Sequence, residues 1–253
     1  MNDALYIAAT GMQAQQQSLD NVANNLANVS TPAFKKGRVN FQEMMQLQAR
    51  PHGEAAAHAA GIGISVSSVL RDFSAGQLSQ TGNAMDLAIN GAGFIELSLP
   101  DGSRGYSRGG SLQVGEDGFL STLDGLPLKP AIHIPAGSSK LSIAADGKVS
   151  VHTAQSGLLE IGQIELVNFA NASGLHPHSK GIYTPTEASG QAIYGRPGSA
   201  GLGELVQGSL EGANVSLVDE MVSLMMAQRA YELSSKVIQT SDELMSLTNN
   251  LRR

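Results

Sequence analysis

The sequence predicts an α+β protein in which a discontinuous coiled-coil domain, made of the N- and C-terminal helices, brackets a central all-β domain. Three observations carry this prediction. Apolar residues repeat at heptad spacing at both ends of the chain, the middle switches to a period of two, and Asn-Gly or Asp-Gly dipeptides punctuate that middle. On this reading residues 1–33 and 212–253 form the terminal helical domain, 34–63 an extended excursion or loop, and 64–211 a β-rich domain.

The last stretch, Ser216 to Arg253, is amphipathic on two faces. Leu217, Leu224, Tyr231, Ile238 and Met245 recur every seven residues and form one seam. A second seam, Met226, Ala230, Leu233, Val237, Thr240, Leu244, Leu247 and Leu251, alternates steps of four and three, the spacing of coiled-coil core positions. At about 100° per residue the two seams lie roughly 130° apart, so one neighbour cannot cover both. Between them stand Gln228, Arg229, Glu232, Ser235, Lys236, Gln239 and Asp242, too polar for a core helix that is apolar all round. The spacing therefore predicts a helix held between at least two others, in a bundle or a multi-chain coiled coil. Ser216 with Asp219 three residues on is a capping-box variant, and Arg252 and Arg253 complement the C-terminal dipole.

At the other end, Leu5, Met12, Leu19 and Leu26 repeat every seven residues, with Ala9, Gln16 and Ala23 on the steps between. Gln16 interrupts the seam, and Gly11 costs about 1 kcal/mol against Ala in a helix interior. The helix stops at Asn28-Val29-Ser30-Thr31-Pro32, where the period is lost and Pro32 disfavours helix at Thr31. Two heptad helices at the two chain ends are expected to pair antiparallel. From Lys35 to Gly63, Met44-Met45, Pro51, Gly53 and the alanine-rich stretch 55–60 show no sustained period, which predicts an extended excursion or long loop.

From Ile64 the pattern is short and alternating: Ile64 and Val66, then Leu87 and Ile89, then Phe94, Ile95 and Leu97. Asn90-Gly91, Asp101-Gly102, Asp117-Gly118, Asp124-Gly125 and Asp146-Gly147 supply the positive φ angles that tight hairpins need. The clearest hairpin runs from Leu141 to Val151 about Asp146-Gly147. No helix longer than a turn or two is expected between Ile64 and Val206, and 190–203 is expected as a loop.

Composition narrows the function. Charged residues make up 15% of the 253, against roughly 25% in an average soluble domain; a surface so poor in charge suits self-packing. A net charge of −6 argues against a nucleic-acid partner. Cysteine is absent, so no disulfide or thiol chemistry is available. The N-terminus has no basic region, Leu5 to Ala9 is too short for a secretory apolar core, and no run approaches the ~18 apolar residues of a membrane span. This predicts a cytosolic protein, or one exported with its N-terminus intact. His176-Pro177-His178 lacks a third ligand at metal spacing and reads as a pair of loop histidines. Gly91-Ala92-Gly93 is not followed by the rest of a dinucleotide fingerprint. No serine sits in a strand-turn-helix elbow, and Asp117 and Asp124 serve turns. Neither an enzyme nor a cofactor is expected.

Three blocks carry a resemblance. Ala23-Asn24-Asn25-Leu26-Ala27-Asn28-Val29-Ser30-Thr31-Pro32-Ala33-Phe34-Lys35 resembles the N-terminal signature of bacterial flagellar rod and hook proteins. Residues 85–94 with 105–111 resemble that family's central block, and residues 207–215 with 228–236 its C-terminal block. The chain departs from the family pattern at Ala33, where glycine is common, and at Ile95, Ser107 and Gly109. The resemblance implies a non-catalytic structural subunit of the distal-rod kind, with a proximal rod subunit of similar length as the alternative; an extracellular β-rich adhesin is the more remote one. It implies export through the flagellar type III apparatus without a cleaved signal peptide, and helical polymerisation in the periplasm-spanning basal body into a rigid hollow shaft that transmits torque from motor to hook. The partners implied are further copies of the chain, adjacent rod and hook subunits, and the bushing rings of the peptidoglycan layer and outer membrane. In such a polymer the helical seams would line an inner tube as assembly interface and the β-domain would form the outer layer.

Overall fold

The computed structural model describes residues 2–48, 58–153, 157–179, 181–199 and 201–250. The chain falls into two compact units, a helical one drawn from residues 1–27, 37–70 and 216–253, and a β unit drawn from 28–36 and 71–215.

In the helical unit, helix α1 is Asn2–Ala27 and helix α2 is Leu217–Asn250. They run antiparallel, as expected. Gly11 on α1 lies against Ser234 on α2, and Asn25 hydrogen-bonds Glu220, so advancing along one helix retreats along the other. Strands β1 (Gly37–Gln48) and β2 (His58–Arg71) pair as a two-stranded sheet. This corrects the extended excursion or loop expected over 34–63, of which 49–57 lie outside the described residues. The alternation is present in Val39, Phe41, Met45 and Leu47, and in Ile62, Ile64 and Val66, but Met44, the alanines and two glycines dilute it. Gly63 lies where a Cβ would collide with Thr10 of α1, and the Asn21 side chain donates to the Gly37 carbonyl at 2.8 Å. Helix α1 is thus covered on one side by α2 and on another by the strand pair.

The β unit holds sixteen strands among the described residues. They are β3 (Leu78–Gln80), β4 (Asp86–Asn90), β5 (Phe94–Ser98), β6 (Arg104–Ser107), β7 (Gly109–Val114), β8 (Leu120–Thr122), β9 (Leu128–Lys129) and β10 (Ser138–Ile143). There follow β11 (Lys148–Thr153), β12 (Gly157–Gln163), β13 (Leu166–Asn168), β14 (His176–Ser179), β15 (Ile182–Thr184), β16 (Ile193–Gly195), β17 (Glu204–Gln207) and β18 (Ser209–Glu211). Their sheets run β10-β11-β12, β14-β15-β6-β5-β13-β16 with β9 beside β5, β17-β4-β7-β8, and β18-β3. The only helical turn between Ile64 and Val206 among the described residues is a 3-10 turn at Ala172–Gly174.

The hairpin read from the sequence is present in register. Ile143 faces Val149 and Leu141 faces Val151 across a turn in which Gly147 has φ 87° and the Asp146 carboxylate accepts from the Lys148 amide. Asn90-Gly91 links β4 to β5 and Asp124-Gly125 links β8 to β9, in each case strands of different sheets, and Gly91 packs so closely on Gly203 that a Cβ would lie 2.8 Å from its Cα. The histidines of His176-Pro177-His178 sit on an exposed strand, not in a loop, and 190–203 contains β16. Leu87, Leu120, Val149, Val151 and Leu166 have no exposed surface and anchor the aliphatic core; full burial of each contributes about 1.5–3 kcal/mol. A second cluster is aromatic, with Phe94, Tyr106, Phe169 and Tyr183 meeting edge to face alongside Phe73.

Candidate assembly site

Helix α2 begins where the sequence places it. The Ser216 carbonyl accepts from the Glu220 amide at 3.0 Å, its hydroxyl faces the Asp219 amide at 3.5 Å, and Asp219 and Glu220 lay acidic charge on the first turn. Its two seams have different surroundings. Of the first, Leu224, Ile238 and Met245 are half-buried, and Leu217 and Tyr231 are somewhat more exposed, at 47% and 40%. The face turned to α1 is completed by Ala227, which is buried, and by Ser234 and Ser241 on the interleaved steps. Ser234 turns its hydroxyl back to the Ala230 carbonyl at 2.9 Å, so a polar residue lies at the contact with its donor satisfied.

The second seam is open. Met226 is 68% exposed, Leu233 66%, Val237 49%, and Leu244 and Leu247 59% each; Leu251 lies outside the described residues. A further apolar strip, Val218, Met221, Val222 and Met225, is exposed along the first turns and was not singled out in the sequence, although its i, i+3, i+4, i+7 spacing is a helical signal.

On α1, Leu5, Met12, Leu19 and Leu26 are half-buried, and the interleaved Ala9, Gln16 and Ala23 are exposed. The buried positions are Ala8, Ala14, Val22 and Asn25, turned away from the predicted seam, because α2 and the strand pair cover α1 from two sides. Asn25 is the key polar member. Its amide donates to the Gly37 carbonyl at 3.0 Å and to Glu220 Oε2 at 3.2 Å, and its oxygen accepts from the Gly37 amide at 2.8 Å. One buried side chain thus fixes the register of α1 against α2 and against the start of β1.

The β unit has its own buried polar centre, which sequence reasoning missed. Lys35, Arg108 and Glu211 are almost wholly enclosed. Lys35 Nζ donates to Glu211 Oε1 at 2.8 Å and to the Ser74 carbonyl at 2.6 Å. Arg108 donates to the same carboxylate through Nε at 3.1 Å and Nη2 at 3.2 Å, and to the carbonyls of Gly93 and Gly91 at 2.7 and 2.8 Å. The Gly76 amide adds a bond to Glu211 Oε1 at 2.9 Å. Burial pushes the Glu211 carboxyl pKa up, but Arg108, Lys35 and the Gly76 amide outweigh it and hold it below the ordinary value. Burial lowers the Lys35 pKa, partly offset by Glu211. The glycines of Gly91-Ala92-Gly93 thus have carbonyls for an arginine, not amides for a phosphate.

Among the described residues no cluster of His, Asp or Glu could hold a metal ion, and no helix is long and apolar enough to cross a membrane. Two paired helices with one apolar seam exposed, beside a separate β unit, fit a structural subunit of the flagellar rod-and-hook class. Comparison with known proteins agrees along the length of the chain. Residues 5–35 match the family described as "Flagella basal body rod protein", 88–151 the "Flagellar hook protein FlgE/F/G D1 domain", and 206–251 the "Flagellar basal body rod FlgEFG protein C-terminal". The flagellar basal-body rod protein FlgG of Buchnera aphidicola subsp. Acyrthosiphon pisum is 40% identical over 99% of this chain and 100% of its own length. That of Borreliella burgdorferi is 40% identical over the whole of both chains. The flagellar basal-body rod protein FlgF of Caulobacter vibrioides is 30% identical over 96% of this chain and 95% of its own. The chain belongs to the FlgG family of flagellar basal-body rod proteins, and its role is that of a structural rod subunit.

Proposed function

We propose that this chain builds the distal rod, polymerising helically into a hollow drive shaft that carries torque from motor to hook. The observation that supports this most is the second seam of α2: periodic, apolar and exposed, with Leu233, Val237 and Leu247 in line. The contact is head-to-tail, joining α2 of one copy to a different surface of the next, and a contact of that kind that does not close on itself produces a filament. The higher identity to FlgG than to FlgF proteins favours the distal over the proximal rod. Phe41, Met44 and Met45 on β1 and Val69 and Leu70 on β2 are exposed as well, and an isolated two-stranded sheet is marginal in water; adjacent subunits cover this strand pair and stiffen the shaft. Neighbouring rod and hook subunits, the two bushing rings and the type III export apparatus complete the set of partners. The subunit keeps its N-terminus on export and catalyses nothing.

Concentrating the pure protein and imaging it by negative-stain electron microscopy tests the reading. Ordered fibres of uniform diameter are expected. Compact single particles at every concentration would overturn it.

A further inference from the structure

The chain passes into and out of the β unit through three segments, 28–36, 71–76 and 211–215. Within the unit these segments are stitched to one another. The Ala33 amide donates to the Glu211 carbonyl at 2.7 Å, and the Asp72 amide to the Lys36 carbonyl at 3.0 Å. Asn214 bridges all three: its Oδ1 accepts from the Lys36 amide at 2.7 Å, and its Nδ2 donates to the Asp72 carbonyl at 2.7 Å and to Ser74 Oγ at 3.0 Å. Glu211 repeats the arrangement three residues earlier, where Lys35 from the first segment and the Gly76 amide from the second meet on Oε1. The Arg71 guanidinium donates to the Lys35 carbonyl at 2.8 Å and lies 5.3 Å from the centre of the Phe34 ring.

We infer that Glu211 and Asn214 form a clasp that makes the three segments one cooperative element, opening and closing together, so that a pull on any one of them is shared by the others. Two features of the chemistry support this over a set of local bonds. The clasp residues are far apart in sequence, 176 positions between Lys35 and Glu211 and 178 between Lys36 and Asn214, so each bond closes a long loop and none is held by its neighbours in sequence. The centre is also indivisible in charge. Removing the one carboxylate leaves Lys35 and Arg108 enclosed together without a counter-charge, so opening at Glu211 draws both cations out.

Amide hydrogen exchange on the dissolved single chain tests this without reference to assembly, so its failure would leave the rod reading standing. In Asn214→Ala the Ala33 and Gly76 amides, which make no bond to the Asn214 side chain, are expected to lose protection by the same factor as Lys36 and Asp72, roughly tenfold. In Glu211→Gln the Lys36 and Asp72 amides are expected to lose protection by about a hundredfold or more. In Asn214→Ala the core amides of Val149 and Val151 keep theirs. Loss confined to the Lys36 amide in Asn214→Ala would overturn the proposal, and should Glu211→Gln fail to fold, that single comparison decides.

Discussion

Replacing Leu233 by Asp separates the two seams of α2. Leu233 is 66% exposed, so about two-thirds of its side chain remains to be covered by another chain. Full burial of a leucine is worth roughly 1.5–3 kcal/mol, which leaves about 1–2 kcal/mol for that contact. Aspartate removes it and adds the desolvation of an unpaired carboxylate, for a total of about 3 kcal/mol or more per subunit added. At 1.4 kcal/mol per factor of ten, the concentration needed for polymerisation should rise about a hundredfold, measured by sedimentation of the polymer. Within the single chain the substitution touches little, so the melting curve and far-ultraviolet circular dichroism should match the parent. Ile238→Asp should behave differently. Ile238 is half-buried on the seam that faces α1, so this change should unpair the helices in the single chain and lower its helicity as well as block assembly. A Leu233→Asp protein that polymerises at the parental concentration would refute the argument that α2 has a second partner.

Three further outcomes follow from the geometry. Gly11→Ala should stabilise the helical unit by about 0.5–1 kcal/mol, read as a higher melting temperature, because a Cβ there meets only Ser234 Oγ at an ordinary 3.7 Å while alanine is the better helix former. Asn25→Ala should cost roughly 2–4 kcal/mol in the same assay, since it strips the buried Gly37 amide of its acceptor and releases Glu220. Glu211 sets an acid limit on the β unit. Its folded pKa is below the ordinary 4.5, so its contribution is complete above that value and is lost as pH falls through the lower, folded one; an acid titration of Glu211→Gln should lack this component and lose stability less steeply below about pH 4.5 than the parent.

Much of this architecture was legible because it is periodic. Heptads at both ends gave the helices, their pairing and the two seams, and Asp146-Gly147 gave a hairpin in register. Ala33 was legible as a departure. It has φ 59°, the left-handed region where glycine is the ordinary residue, and it is the one non-glycine so placed among the described residues. The strand pair Gly37–Gln48 and His58–Arg71 was missed because its alternation is carried partly by glycine and alanine, which weigh little in any hydrophobic pattern. The buried line on α1 shifted from Ala9 and Ala23 to Ala8 and Val22 because α1 packs on two neighbours. The Lys35, Arg108 and Glu211 centre could not be read at all. Its members lie within the three recognisable blocks, but nothing local marks them as partners across separations of 103 and 176 residues.

The central claim, that the second seam of α2 is a contact between copies, is tested most directly by chemical access in the assembled state. The chain has no cysteine, so Leu233→Cys introduces a single thiol. Its rate of reaction with a small maleimide should be that of an open site in the dissolved chain and should fall at least about tenfold once the protein has polymerised. An equal rate in both states would mean that the seam stays in water and that the contact between copies lies elsewhere.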